Sequence, residues 1–162
     1  MQCLQYMKSS GGVKLYEYIP AWARKRMELN IPLDAFVLIS VGELNQNKNN
    51  RVVIEALGKL PDKIYYILCG IGSEKERLAA RAEKLGLSDR VLFLGYRTDV
   101  YELMGMADVF VLPSYREGLS RSLMEAMACG LPCVVSDIRG NTDLIDDGCG
   151  GFAISPDDKK GF

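Results

Sequence analysis

The strongest constraint on the fold is the alternation of continuous apolar segments with segments of helical period. Between the apolar runs, hydrophobic residues recur at helical spacing, as at positions 52, 53, 54, 57 and 60 before Pro61. Strands that are apolar on both faces and separated by helices are typical of a parallel sheet covered on both sides. The sequence therefore predicts an α/β fold, a Rossmann-like doubly wound parallel sheet of about six strands. The predicted strands are 36–41, 64–69, 91–94, 109–112, 133–135 and 152–154.

Four helices are predicted between these strands, at 49–60, 73–85, 99–106 and 120–129. Ser73 and Glu76 have the spacing of a capping box, and Gly86 has the position of a helix stop. The first 20 residues show no clear period. Residues 1–30 are therefore interpreted as a lead-in or linker with a surface helix at 21–29, and residues 31–162 as the Rossmann-like domain.

Composition excludes several classes of protein. The 20 basic and 21 acidic residues nearly cancel, which argues against a nucleic-acid partner. No apolar run approaches the ~18 residues that cross a bilayer, and the first 12 residues lack the apolar region of a signal peptide. The five cysteines are odd in number and form no CxxC pair, which favours reduced thiols in the cytoplasm, with Cys129 and Cys133 in the core. Histidine is absent, so the commonest general base and zinc ligand are missing.

Two glutamates, Glu117 and Glu125, are separated by seven residues. The predicted strand 109–112 ends at Pro113, and the next helix starts near Ser120. Glu117 should therefore lie at the carboxyl end of a buried strand, and Glu125 about one and a half turns inside the helix. Ligands bind at this edge of open parallel sheets, and a helix N-terminus there favours anions.

Seven motifs in chain order carry a family resemblance. Together they resemble the C-terminal, donor-binding half of a retaining GT-B glycosyltransferase of the "glycosyl transferases group 1" family (family 4). The Gly-Glu-Leu-Asn and Asn-Lys-Asn forms are most similar to members from bacterial exopolysaccharide and capsule clusters. The motifs span residues 40–50, 68–74, 91–100, 107–114, 114–130, 130–137 and 146–152.

The resemblance implies a nucleotide-diphosphate sugar as donor. It places Glu125 on the ribose hydroxyls, Glu117 opposite the sugar and Lys48 on the diphosphate, with Lys48 and Glu117 as the catalytic residues. The charge that grows on the diphosphate as the sugar leaves would be met by Lys48 and the helix N-terminus. No Asp-x-Asp motif occurs, so we expect no cofactor and no obligatory metal. The expected donor-binding residues are Gly42, Lys48, Gly95, Tyr96, Arg97, Glu117, Gly118, Leu119, Ser120 and Glu125, with the base near Gly95 to Arg97.

The chain departs from the family pattern in two respects. Glu43 stands where the family commonly has an arginine, and would repel phosphate unless it pairs with Arg97, Arg116 or Arg139. A GT-B enzyme also has an N-terminal acceptor domain and a closing C-terminal helix, and neither is recognised here. The chain is therefore expected to be a fragment, inactive alone. The whole enzyme would transfer a hexose with retention to a polysaccharide or lipid-linked acceptor, and peripheral association with the inner face of the membrane is compatible with this interpretation.

Each site residue also has a purely structural explanation. Glu125 could pair with Arg121 four residues earlier, and Glu117 could simply favour the helix N-terminus. Lys48 could be a solvated lysine at the start of a helix. Gly70-Ile71-Gly72 fits a phosphate loop and a turn before a helix equally well. Asp143 could cap a helix or touch a ligand.

Two other functions are compatible with the predicted fold. One is a non-catalytic nucleotide-binding or interaction module that kept the fold. The other is a signalling domain of the response-regulator type, which is disfavoured because the first strand ends without the acidic cluster that would hold Mg²⁺.

Overall fold

A computed structural model describes residues 19–158 and 160–162. Six strands form one sheet in the order β3-β2-β1-β4-β5-β6, and every pair of neighbours is parallel. This is the doubly wound order in which the chain direction across the sheet reverses between β1 and β4. The predicted fold class is confirmed. The strands are β1 (Phe36–Val41), β2 (Ile64–Cys69), β3 (Val91–Gly95), β4 (Val109–Leu112), β5 (Cys133–Ser136) and β6 (Gly151–Ile154).

Six α-helices accompany the described strands, and a 3₁₀ turn at Gln46–Lys48 precedes the second of them. No described helix combines the length and apolar character that crossing a membrane requires. The helices are α1 (Ala21–Glu28), α2 (Asn50–Leu57), α3 (Lys75–Lys84), α4 (Val100–Met106), α5 (Arg121–Ala128) and α6 (Arg139–Thr142).

Side chains along the central strands point alternately to the two faces of the sheet, and this divides the hydrophobic core into two clusters. On one face, Val37 and Ile39 of β1 pack with residues of α4 and α5. On the other face, Tyr66 and Leu68 of β2 pack with residues of α2 and α3. Because successive strand residues point to opposite faces, a strand that is apolar throughout can serve both clusters. Because the core covers both faces of the sheet, polar functional residues can lie at the two ends of its strands.

Helix α1 is joined by a buried arginine to the segments that lead into β1 and β4. Arg26 is 5% exposed, and its five N–H groups donate to Met106 O twice, to Leu33 O, to Ala35 O and to Asp108 Oδ2, at 2.7–3.2 Å. The guanidinium carbon also lies 5.4 Å from the ring centroid of Trp22. Residues 21–30, which the sequence analysis separates from the domain, are thus bonded to it, while the predicted lead-in at 1–18 lies outside the described residues.

The helix starts differ from the sequence pattern. The capping box at Ser73 and Glu76 is wrong, because α3 starts at Lys75 and no side chain caps it. The Glu74 N–H instead donates to Leu44 O of a neighbouring loop at 3.0 Å. That loop supplies the partner that a cap would otherwise provide. The four-residue helix α6 was not predicted.

The Gly70-Ile71-Gly72 segment has a structural explanation. A Cβ at Gly70 would lie 1.8 Å from Gly42 O, and one at Gly72 would lie 2.2 Å from Leu44 O. The Leu44 N–H also donates to Ile71 O at 2.9 Å. The glycines let the loop after β2 pack main chain against main chain on the loop after β1, which supports the turn interpretation.

The four cysteines in the described part of the chain divide into two kinds. Cys69 and Cys133 are buried free thiols, and burial raises their pKa to about 12 and about 11. The prediction that Cys129 is a core thiol is wrong, since it is exposed at the C-terminal end of α5, as is Cys149 elsewhere. The apolar neighbours of Cys129 in the sequence do not determine which side of the helix end it occupies.

Candidate functional site

The reversal of strand order creates a crevice between the carboxyl ends of β1 and β4. The loop after β1 leads to α2, and the loop after β4 leads to α5. Because these loops leave in opposite directions across the sheet, the edge between them is open to a ligand. Residues 42–49 and 113–120 form its two walls.

The loop after β1 is fixed by local hydrogen bonds. The Lys48 N–H donates to Asn45 Oδ1 at 3.1 Å, and Asn49 takes a left-handed conformation with φ of 49° before α2 begins. Beneath them, Asn50, Tyr66 and Ser40 form a buried chain of hydrogen bonds, with Tyr66 Oη 2.9 Å from Asn50 Oδ1 and 2.7 Å from Ser40 Oγ. This network connects α2 to β1 and β2, and so fixes where Lys48 leaves the backbone.

Lys48 and Glu117 meet across the crevice. Lys48 Nζ donates to Glu117 Oε1 at 2.7 Å, and the two side chains are 19% and 11% exposed. Gly42 lies below them, with φ of 148°, and a Cβ there would lie 3.4 Å from Lys48 Cε. The structure thus brings together the two residues predicted to be catalytic and places the predicted Gly42 against one of them.

The N-terminus of α5 forms the far side of the crevice. Ser120 is 5% exposed, and its Oγ caps the helix by accepting from the Leu123 N–H at 3.4 Å. Leu119, just before it, is 67% exposed. The first N–H groups of a helix have no partner within it and carry partial positive charge. Gly118, Leu119 and Ser120 are therefore placed where the sequence predicts an anion-binding helix end.

Two residues that the sequence analysis missed hold the Glu117 loop. Asn47 Nδ2 donates to Arg116 O at 2.8 Å. Gly140 of α6 packs from the other side, where a Cβ would lie 2.2 Å from Gly118 O and 2.3 Å from Glu117 O. Neither residue stands out by composition or period, and only the proximity of Asn47 to Lys48 in the sequence could have indicated it.

Glu125 lies on the second turn of α5 and is partly buried. Among the described residues, no ion pair joins it to Arg121, so the expected structural alternative is not seen. Its carboxylate remains available to accept hydrogen bonds from a ligand.

Gly95 ends β3, and Tyr96 and Arg97 follow it at the same edge of the sheet, two strands away from β1. Tyr96 is 77% exposed. Arg97 Nε donates to Asp99 Oδ1 at 2.7 Å. The Arg97 guanidinium, with Lys25 on the other side, holds the pKa of the Asp99 carboxyl well below its ordinary value.

Among the described residues, Glu43 makes no ion pair with the arginines that could offset its charge. Its carboxylate accepts from Asn45 Nδ2 at 3.0 Å, while Arg97 pairs with Asp99 and Arg139 lies 3.9 Å from Asp143. Asp143 itself follows the last residue of α6, so it does not cap a helix N-terminus. Glu43, Arg97 and Arg139 each have a partner within four residues along the chain. The entropy cost of bringing such near neighbours together is small.

The residues of the crevice can bind an anionic ligand that carries polar groups on one side. One ammonium and the N-terminal end of a helix supply positive charge, and two carboxylates supply acceptors for hydroxyl groups. The described residues contain no group of three or more side chains that could ligate a metal ion.

Comparison with known proteins finds relatives named as glycosyltransferases. A protein named putative glycosyltransferase EpsD, from Bacillus subtilis, is 40% identical over 132 residues, which are 80% of this chain and 35% of that protein. An Escherichia coli protein, UDP-Gal:alpha-D-GlcNAc-diphosphoundecaprenol alpha-1,3-galactosyltransferase, is 34% identical over 161 residues, 93% of this chain and 41% of its own length. The chain thus spans about two fifths of the relatives that it matches.

Solved structures of other proteins share the fold of this chain. Anabaena HepE in complex with UDP-glucose superposes with a TM-score of 0.82 at 30% identity, over 86% of this chain and 40% of HepE. WaaG, a glycosyltransferase involved in lipopolysaccharide biosynthesis, superposes with a TM-score of 0.76 at 30% identity, over 88% of this chain and 40% of WaaG. The model of the family "glycosyl transferases group 1" matches residues 23–162. The motifs of the chain, its parallel sheet and the family match over most of its length show that the chain belongs to the group 1 glycosyltransferases, with the fold of one half of a GT-B enzyme.

Proposed function

We propose that this chain is the donor-binding domain of an enzyme that transfers a hexose, with retention, from a nucleotide-diphosphate sugar to a polysaccharide or lipid-linked acceptor. The observation that carries the proposal is the contact between Lys48 and Glu117 at the crevice between β1 and β4, where α/β sheets bind ligands. HepE, which shares the fold at 30% identity, has been solved with UDP and with UDP-glucose. These complexes support a nucleotide sugar as the ligand of this chain too.

The proposed roles follow the geometry. Lys48 and the N-terminus of α5 neutralise the diphosphate, whose charge grows as the bond to the sugar breaks. Glu117, released from Lys48, accepts hydrogen bonds from the sugar. Glu125, on the same helix, accepts from the ribose hydroxyls. Gly95, Tyr96 and Arg97 lie along the edge on the side where the base would be bound.

The acceptor side of the reaction belongs to the rest of the proposed enzyme. We propose that the acceptor binds to an N-terminal domain and that the enzyme acts in the cytoplasm with peripheral contact to the membrane. Lys48 and the N-terminus of α5, rather than a metal ion, neutralise the charge of the leaving group. The relatives named for lipid-linked and lipopolysaccharide products support this choice of acceptor.

Calorimetric titration of the purified chain with UDP, GDP and ADP tests the donor site and its base preference together. We expect binding of one of the three with a Kd of about 10 μM to 1 mM, because only one wall of a two-domain cleft is present. The Kd should be the same in EDTA and in Mg²⁺, and no sugar should be transferred to any acceptor. Failure of all three nucleotides to bind at millimolar concentration would refute the proposal.

Glu125→Gln should weaken every nucleotide that binds, with or without an attached sugar. The neutral amide accepts less strongly from the two ribose hydroxyls, so we expect a loss of about 1–2 kcal/mol by calorimetry. Glu83→Gln, an exposed change on α3, is the matched control and should leave affinity unchanged. If Glu125→Gln instead lowered the melting temperature and left affinity intact, the assignment to ribose would be wrong.

A further inference from the structure

Three adjacent contacts connect the two loops of the crevice. The Tyr115 N–H donates to Asn47 O at 2.8 Å, and Asn47 Nδ2 donates to Arg116 O at 2.8 Å. The next residue of each loop makes the 2.7 Å contact between Lys48 and Glu117. The amide of Asn47 therefore binds the peptide group that immediately precedes Glu117.

Little else holds this stretch of chain. Tyr115 is 45% exposed and Leu119 is 67% exposed, so neither anchors the loop in a core. Gly118 follows Glu117 and contributes no side chain to packing. Between the buried Ser114 and Ser120, the described contacts that position the loop are the packing of Gly140, the Lys48–Glu117 contact and the hydrogen bonds to Asn47.

We propose that Asn47 is a positioning residue that sets the Glu117 carboxylate against Lys48 and, in the liganded state, against the sugar of the donor. The part that concerns the donor rests on the function proposed above. Asn47 itself touches neither reacting atom. It acts through the main chain of Arg116, and the bond from Tyr115 N to Asn47 O survives any change of its side chain, so the variants should fold.

The first experiment compares UDP with UDP-glucose by calorimetry for Asn47→Ala and Asn47→Asp. We expect the affinity for UDP to stay within about threefold, while the preference for UDP-glucose over UDP falls about fivefold in both variants, the worth of one hydrogen bond. Asn47→Asp should be no better than Asn47→Ala, since a carboxylate cannot donate to Arg116 O. Gln46→Ala, an exposed change in the same 3₁₀ turn, is the control and should keep the parental preference.

A merely structural role would give a different pattern. Both ligands would then weaken in parallel with a lower melting temperature. That result, or an unchanged preference for UDP-glucose, would overturn the inference.

A second experiment needs no nucleotide. A double-mutant cycle of Lys48→Met and Glu117→Gln is measured by urea unfolding in the parent and again with Asn47→Ala. In the parent, we expect Lys48 and Glu117 to be coupled, with a coupling of about fivefold in the equilibrium constant of unfolding. In the Asn47→Ala background, we expect no coupling between them. Equal coupling in the two backgrounds, or none in the parent, would overturn the role of Asn47, whereas a parent chain that binds no UDP would refute only the proposed function.

Discussion

Replacing Arg26 with methionine should lower the free energy of unfolding by about 3–5 kcal/mol. The side chain is 5% exposed and uses all of its N–H groups in hydrogen bonds. The apolar replacement leaves the Met106 and Ala35 carbonyls without those donors and Asp108 without its cation. Urea unfolding followed by circular dichroism measures the loss.

Arg139→Met is the matched control for this change. The Arg139 side chain is 95% exposed and lies 3.9 Å from Asp143, so its loss should change stability by no more than about 0.5 kcal/mol. Equal stability of the parent and Arg26→Met would show that the buried bonds of Arg26 carry no net stabilisation.

Lys48→Ala and Glu117→Gln should change nucleotide affinity in opposite directions. Lys48→Ala removes the charge that faces the diphosphate and should weaken UDP by about 1.5–3 kcal/mol while leaving uridine unaffected. Glu117→Gln should strengthen UDP a few-fold, because in the free chain Glu117 holds the lysine at 2.7 Å and a diphosphate must displace it. The same variant should weaken UDP-glucose relative to UDP, since the sugar loses its carboxylate.

Calorimetry with uridine, UDP and UDP-glucose separates these effects. Lys59→Ala, an exposed lysine just after α2, is the matched control and should bind all three like the parent. Equal losses for uridine and UDP in Lys48→Ala would mean that Lys48 only supports the fold. Weaker binding of UDP to Glu117→Gln would show that the ion pair does not compete with the nucleotide.

The sequence predicts the sheet well because its signals are local. The predicted limits of β1, β2 and β4 are those observed, since each apolar run is closed by a residue that stops a strand, such as Gly42, Gly70 or Pro113. The order of the strands follows from the doubly wound pattern, which also predicts the edge where Lys48 and Glu117 meet.

What the sequence does not predict depends on contacts between distant segments. The start of α3 is fixed by Leu44 O, thirty positions before it, rather than by Ser73. Asn47 and Gly140 acquire their importance only when the chain is folded, because their partners are main-chain atoms that carry no compositional signal. The sequence also leaves the partners of Glu43 and Arg97 open, and in the structure each binds a residue two positions along the chain.

The hydrogen bonds of Arg26 also bear on how relatives of this chain can diverge. Four of the five bonds end on carbonyl oxygens of the main chain, which every amino acid possesses. The exposed Leu33 can therefore be replaced freely without loss of its bond to the guanidinium. Asp108 is the one hydrogen-bond partner that binds through its side chain, and it also accepts from the Val37 N–H at 2.7 Å. Among these five bonds, correlated substitution in homologues should accordingly be confined to positions 26 and 108.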